Sequence, residues 1–196
     1  MKVASGVVRR AFVVVVSMTL MSLFLVMPSS AEQGENCVTL LVPIDEDQHP
    51  GPIEAETVDL GCYATYSEAV DVGTAGGTSL PVGASPASLT QGTLAVTTDP
   101  DTTNVLIGTE YTETNFALSS RSYFAPSTCS GGVIWEVGYV GDSWNDDFES
   151  GKGFGGCDAN KKFRWANFGG DVLTCTPTCT NYGDLRNEVS SLRWRP

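Results

Sequence analysis

The second half of the chain contains short runs of aromatic and β-branched residues that are separated by Gly, Asp and Asn. Six of these runs predict strands, at residues 105–108, 121–124, 133–135, 162–165, 172–173 and 191–194. Short strands at roughly even spacing, without a long helical period, are typical of an antiparallel sandwich or barrel. The fold class predicted for this part of the chain is therefore mainly β.

The first half has a different pattern. Residues 37–42 alternate weakly and are rich in β-branched residues, which predicts a strand, and residues 58–63 predict a second short element. Thr65 and Glu68 have the spacing of a capping box at the start of a short helix, which Gly73 would end. Residues 84–95 are expected to hold one more short element, and residues 96–103 a linker. We therefore predict a small α+β region over residues 32–103.

The N-terminus carries the features of an export signal. Lys2, Arg9 and Arg10 precede an apolar run at residues 11–27, and small residues follow up to Ala31. This order predicts a secretory signal peptide at residues 1–31. The alternative is a membrane anchor, but a run of this length is at the lower limit for spanning a bilayer. The predicted organisation is a signal peptide (1–31), the α+β region with its linker (32–103) and a β-domain (104–196), in a secreted monomer.

Charge and cysteine content fit an exported protein. Cleavage after Ala31 would remove three basic residues and no acidic one, which changes the net charge from −12 to −15. Such a surface argues against binding to nucleic acid or to anionic membranes. An even number of cysteines in an exported chain predicts disulfides, and chain order favours pairing them consecutively, as Cys37–Cys62, Cys129–Cys157 and Cys175–Cys179. A thiolate metal site is disfavoured, since the chain has no Cys-x-x-Cys and a single His.

One pattern occurs twice in the β-domain. Residues 145–150 and 186–191 each place polar residues before one apolar residue, which Ser or Glu and then Ser follow. An aromatic pair spaced five residues apart precedes each loop, and these pairs are Tyr111 with Phe116 and Phe163 with Phe168. Repetition in the same order indicates a duplicated structural unit.

These motifs resemble those of the microbial βγ-crystallin superfamily, in which an aromatic pair is followed, after one residue, by Gly. Gly170 fits that position in the second motif, whereas Leu118 occupies it in the first. The resemblance covers residues 104–196. It implies a Greek-key sandwich of two four-stranded motifs with a shared core, in which the last Ser of each loop hydrogen-bonds to loop backbone.

The resemblance also implies a calcium site where the two loops meet, because calcium prefers oxygen ligands. The candidate metal ligands are Asn145, Asp146, Asp147, Glu149, Asn187, Glu188 and Ser190. Two departures weaken the match: Arg186 brings a positive charge, and Glu149 replaces Ser or Thr. We expect the first loop to supply most of its ligands, with Ser190 reaching in from the second. The alternative is that these residues fold the loops without a metal.

The same fold includes secreted metalloproteinase inhibitors, so a secreted protease is the partner that the resemblance suggests. The candidate inhibitory loop is the disulfide-closed segment at residues 175–179. A simple turn between strands, stabilised by its disulfide, is the favoured alternative.

Catalytic motifs are sparse. His49 lies in an acidic, Pro-rich loop, and the chain has no Gly-x-Ser-x-Gly elbow. Residues 151–156 lack the order of a phosphate-binding loop and are interpreted as the connection between the two motifs. The predicted function is that of a secreted non-enzymatic binding or structural protein that binds calcium, with a secreted peptidase inhibitor on the same fold as the alternative.

Overall fold

A computed structural model describes residues 34–44, 51–81, 83–89 and 104–196, and all structural statements concern those residues. The predicted signal peptide, the loop that contains His49 and the 96–103 linker lie outside them. Within the described ranges, no helix has the length and apolarity that a membrane crossing needs.

The described chain is mainly β, with one short α-helix, which confirms the predicted fold class at that level. The strands are β1 (Asn36–Pro43), β2 (Ile53–Tyr63), β3 (Val105–Glu113), β4 (Ala117–Ala125), β5 (Trp135–Val137), β6 (Ser150–Gly153), β7 (Ala159–Trp165), β8 (Gly169–Cys175), β9 (Thr178–Cys179) and β10 (Ser191–Arg195). The helix is α1 (Tyr66–Gly73). Every predicted strand overlaps an observed one. The two that were not predicted, β6 and β9, have only four and two residues.

The strands of the β-domain form two four-stranded motifs, β3–β6 and β7–β10, that exchange their third strands. In the first motif β3 pairs with β4 and β6, and in the second β7 pairs with β8 and β10. The third strands pair elsewhere: β5 lies against β10, and β9 lies against β6. Each motif therefore completes the sheet of the other.

The hairpin formed by β1 and β2 joins these two sheets. Strand β1 runs parallel to β4, and β2 runs parallel to β5, so the full order is β8-β7-β10-β5-β2-β1-β4-β3-β6-β9. The predicted 32–103 region thus shares one sheet with the predicted 104–196 domain. The boundary itself, near residue 103, lies among residues that the structure does not describe.

Two hydrophobic clusters fill the interior. The larger one lies between the two motifs and includes Trp135, Trp194 and Phe148, together with Leu41 from the hairpin. The smaller one lies under α1 and includes Tyr66, Val70, Phe124 and Phe154. Both clusters combine residues from the two halves of the chain.

Helix α1 begins and ends as the sequence predicts. Thr65 Oγ1 accepts a hydrogen bond from the Glu68 N–H at 3.2 Å, and Glu68 Oε2 accepts one from the Thr65 N–H at 3.3 Å, which completes the capping box. Gly73 ends the helix against Phe124, where a Cβ would overlap the aromatic ring. The helix can approach the sheet closely because residue 73 has no side chain.

The three predicted disulfides are all present: Cys37–Cys62, Cys129–Cys157 and Cys175–Cys179. The first closes the β1–β2 hairpin, where its two residues are direct partners in the antiparallel register. They are consistent with an extracellular protein.

A buried polar cluster links the first strands of the two motifs. Lys162 forms an ion pair with Glu110, and the Tyr182 hydroxyl donates to the other carboxylate oxygen of Glu110. Burial lowers the pKa of Lys162, against the opposing effect of Glu110, and burial raises the pKa of Tyr182 well above its ordinary value. Because each polar group is satisfied by another, the cluster can be accommodated in the interior.

Candidate functional site

The two aromatic pairs occupy equivalent positions in the two motifs. The rings of Tyr111 and Phe116 are 5.4 Å apart and those of Phe163 and Phe168 are 5.5 Å apart, both edge to face. Each pair spans the hairpin between the first two strands of its motif. The geometry is favourable for aromatic rings and fixes the way each hairpin folds over.

The last Ser of each polar loop holds that hairpin down. Ser150 Oγ donates to the Glu113 carbonyl at 2.6 Å, and Ser191 Oγ donates to the Trp165 carbonyl at 2.7 Å. Each hydroxyl also accepts from the N–H of the second aromatic residue of its hairpin, at 3.1 and 3.0 Å respectively. Each serine therefore hydrogen-bonds to backbone, as predicted. Since the two accepting carbonyls are equivalent, Glu113 in the first motif corresponds to Trp165 in the second.

The two polar loops lie side by side. The Asp146 N–H donates to the Val189 carbonyl at 3.2 Å, and the Asn187 N–H donates to the Phe148 carbonyl at 3.0 Å. Asp146 and Asn187 also share left-handed backbone, with φ values of 61° and 55°. This reciprocal exchange brings the seven predicted ligands into one region, where six of them form two groups that share Asn187 and Asn145 belongs to neither.

The first group surrounds a cavity of about 380 Å³, which we call the Ser190 site. Its lining residues are Asp146, Arg164, Trp165, Asn187, Glu188 and Ser190. The Arg164 guanidinium forms ion pairs with Glu188 and, at 3.1 Å, with Asp171, while Ser190 Oγ donates to the Arg164 carbonyl at 2.8 Å. Because the guanidinium already pairs with Glu188, a cation here would be repelled by Arg164 and would compete with it for that carboxylate.

The second group consists of Asp147, Glu149 and Asn187, and we call it the Asp147 site. Asn187 Nδ2 donates to Glu149 Oε1 at 2.8 Å. Partial burial raises the pKa of Asp147, and the charges of Glu149 and Glu113 raise it further. The guanidinium of Arg186 lies 3.7 Å from Glu149 Oε2, but its side chain is 49% exposed. Negative charge is therefore concentrated here, and an exposed arginine compensates it only weakly.

Asn145 adds an unused oxygen to the first loop. Its Nδ2 donates to Asp146 Oδ2 at 2.7 Å, whereas its buried Oδ1 accepts no hydrogen bond from the described residues. A buried acceptor without a partner is costly, and a cation or a water molecule would satisfy it. The residues of the first loop and the Asp147 site thus fit an oxygen-coordinated cation.

The carboxylates at this site do not form a tight cluster. Among the described residues, the acidic, Cys and His side chains give one set of three whose ligand atoms lie within 4.8 Å of one another, Glu35 with Cys37 and Cys62. Its two cysteines are joined in a disulfide and cannot act as thiolate ligands. A cation at the Asp147 site would therefore also need backbone carbonyls and water, which calcium accepts readily.

The disulfide-closed segment at residues 175–179 is held in the sheet. The Pro177 carbonyl accepts from the Gly153 N–H and from Asn160 Nδ2, both at 2.9 Å. Thr178 and Cys179 form β9, which pairs with β6. This geometry favours the turn between strands over a protruding inhibitory loop. Residues 151–156 were predicted to be a connection, but residues 151–153 belong to β6, so of these only residues 154–156 lie between β6 and β7.

Comparison with known proteins gives matches of structure only. Over 46% of this chain and 99% of the other, the structure is similar to a βγ-crystallin from an archaeon, with 22% identity and a TM-score of 0.35. A βγ-crystallin domain from Clostridium beijerinckii matches 45% of this chain and 97% of its own at 19% identity and a TM-score of 0.35. The N-terminal domain of protein S matches 45% and 93% at 19% identity and a TM-score of 0.33.

No protein-family model matches the chain, and no curated protein does. The predicted resemblance is confirmed as a structural match to βγ-crystallin domains over about 45% of the chain.

Proposed function

We propose that this protein is a non-enzymatic binding module that holds one calcium ion at the Asp147 site. The observation that carries the proposal is the contrast between the two groups of predicted ligands. At the Ser190 site the Arg164 guanidinium is paired with Glu188, whereas at the Asp147 site burial, and then repulsion from Glu149 and Glu113, raise the pKa of Asp147. A divalent cation would relieve that repulsion.

Calcium suits this site better than magnesium does. The ligands would be two carboxylates, an amide oxygen and backbone or water oxygens, a mixed and flexible set that calcium tolerates and octahedral magnesium does not. Asn187 would have to turn its amide oxygen toward the ion and give up its hydrogen bond to Glu149. This rearrangement favours a modest affinity, with a Kd of roughly 10⁻⁵ to 10⁻³ M.

The first test compares thermal unfolding with and without calcium. At a calcium concentration about 100 times Kd, binding adds about 2.7 kcal/mol, which raises Tm by about 5 to 10 °C for a chain of this size. Asp147→Asn should abolish the rise, while Glu188→Gln, the matched change at the Ser190 site, should retain it. An unchanged Tm of the unmodified chain in 10 mM calcium, with no heat of binding in calorimetry, would overturn the proposal.

Removal of Arg186 should strengthen the same site. Its guanidinium lies 3.7 Å from Glu149 and competes for a carboxylate that the ion would use. We expect Arg186→Gln to tighten calcium binding by about three- to tenfold, a change of about 0.7 to 1.4 kcal/mol, measured by titration calorimetry. Equal or weaker affinity in this variant would place the ion elsewhere.

The raised pKa of Asp147, caused first by burial and then by the charges of Glu149 and Glu113, should also make the stability of the metal-free protein depend on pH. The pKa of Asp147 is higher in the folded than in the unfolded chain, so protonation of this carboxyl favours the folded state. This stabilisation is complete below the ordinary Asp pKa and is lost as the pH rises through the pKa of the folded chain. In EDTA, Asp147→Asn should therefore be more stable than the unmodified chain at pH 7 but not at pH 3. Urea unfolding at the two pH values measures this, and an equal difference at both would contradict it.

A further inference from the structure

Trp165 is 63% exposed at the rim of the Ser190 site. Two other tryptophans, Trp135 and Trp194, are buried in the core. Tyr139 is also exposed, at 43%, and its hydroxyl donates to Asp142 Oδ1 at 2.8 Å. Of these two exposed aromatic side chains, Trp165 lines the polar cavity.

One face of the Trp165 side chain packs on the backbone of its own hairpin. A Cβ built on Gly169 would lie 3.5 Å from Trp165 Cβ, and one built on Gly170 would lie 3.0 Å from Trp165 Cδ2, so the indole lies over these two glycines. Its carbonyl accepts from Ser191, which fixes the backbone. A ring that packs on one face and is free on the other is a preorganised surface for stacking.

The same hairpin is tied to the segment that carries Tyr139. The Asn167 N–H donates to the Gly138 carbonyl at 2.8 Å. The residue directly before Tyr139 and the second residue after Trp165 are therefore joined by a backbone hydrogen bond.

The fold does not require an aromatic residue at position 165. Its counterpart in the first motif is Glu113, whose carbonyl accepts the equivalent serine hydrogen bond. Glu113 makes the same backbone contact without an exposed ring, so the hairpin forms with either side chain. Of the two equivalent positions, only position 165 in the second motif carries an indole.

The cavity floor offers both donors and acceptors. Asp146 and Glu188 present carboxylates, Asn187 an amide and Arg164 a guanidinium, within about 380 Å³. That volume falls in the lower range of small-ligand sites. The two carboxylates already outnumber the one arginine, and Asp171, the second partner of that arginine, adds a third. This balance disfavours anionic ligands.

We propose that the Ser190 site binds a neutral carbohydrate, with the apolar face of one sugar ring stacked on Trp165. Asp146, Asn187 and Glu188 hydrogen-bond to its hydroxyl groups. The hydroxyl-rich edge of a sugar matches the polar floor, and its C–H face matches the indole. Asp147 and Glu149 take no part, and Asn187 is the residue that the two proposed sites share.

The test uses the chain from residue 32 onward. Depletion from solution by insoluble cellulose, chitin and xylan is measured first, and tryptophan fluorescence is titrated with the corresponding hexasaccharides. We expect at least one neutral glycan to bind and to shift the emission of Trp165. Trp165→Ala should weaken that binding by about tenfold or more, and Trp165→Phe by less.

Ile44→Ala is the matched control, because Ile44 is exposed to the same extent, at 62%. It should leave glycan binding unchanged. Near-ultraviolet circular dichroism verifies that each variant is folded. The proposal is overturned if none of the three neutral glycans binds, if polygalacturonate or alginate binds instead, or if Trp165→Ala binds as tightly as the unmodified chain.

Discussion

At the scale of single residues, the two motifs differ most clearly at positions 118 and 170. Leu118 has φ 58° and Gly170 has φ 73°, so both occupy the left-handed region after equivalent aromatic pairs. A leucine is sterically strained in this region because of its Cβ, whereas glycine has no Cβ and is not strained. The missing glycine of the first motif is therefore a strained leucine in the same backbone conformation.

Reciprocal substitutions should reveal this strain. We expect Leu118→Gly to raise the free energy of unfolding by about 0.5 to 1 kcal/mol, since the relief of strain exceeds the entropic cost of glycine at an exposed position. Gly170→Ala should lower it by about 1 to 2 kcal/mol, because its Cβ would meet Arg164 Cβ at 3.0 Å. Urea denaturation measures both, and equal losses from the two substitutions would contradict the interpretation.

At the scale of elements, the disulfides stabilise segments of very different length. Cys37 and Cys62 are 25 residues apart and close the hairpin that joins the two sheets. Cys175 and Cys179 are four residues apart and close the turn between β8 and β9. The entropy that a cross-link removes from the unfolded chain grows with the length of the loop it closes.

Paired Cys→Ser substitutions test this difference. Loss of the Cys37–Cys62 bridge should cost about 3.5 kcal/mol and loss of the Cys175–Cys179 bridge about 2 kcal/mol. Guanidinium unfolding of the two double variants provides the comparison. A larger loss from the short loop would show that this bridge acts through native contacts of β9 instead.

At the scale of the whole molecule, the N-terminal hairpin and the two motifs share their cores. Val38 and Leu41 of β1 are fully buried, one in each hydrophobic cluster. Without the hairpin, β4 and β5 would present unpaired edges. Stability of the β-domain therefore depends on residues outside it.

The chain from residue 32 should accordingly unfold in one cooperative calorimetric transition. The isolated 104–196 segment should aggregate or unfold at least about 15 °C lower, because it loses buried apolar contacts worth several kcal/mol. Two separate transitions, or a monomeric segment with an unchanged Tm, would instead support two independent domains.

Much of the local structure could be predicted from the sequence because its determinants are neighbours in the chain. The capping box of Thr65 and Glu68, the aromatic pairs and the strand runs each lie within a few residues. The duplicated order of motifs indicated the Greek-key match, and chain order favoured the observed disulfides. The sequence by itself thus determined the elements and their duplication, whereas the meeting of the two polar loops was an implication of the family resemblance.

Only the tertiary structure decided which distant groups neutralise one another. Arg164 lies on β7 and appeared as part of a strand, yet its ion pair with Glu188 separates the predicted ligands into two sites. The insertion of β1–β2 between two sheets and the exposure of Trp165 likewise depend on pairing across long stretches of chain. Periodicity and capping are local properties, whereas charge compensation, strand exchange and exposure follow from contacts that the sequence pattern does not encode.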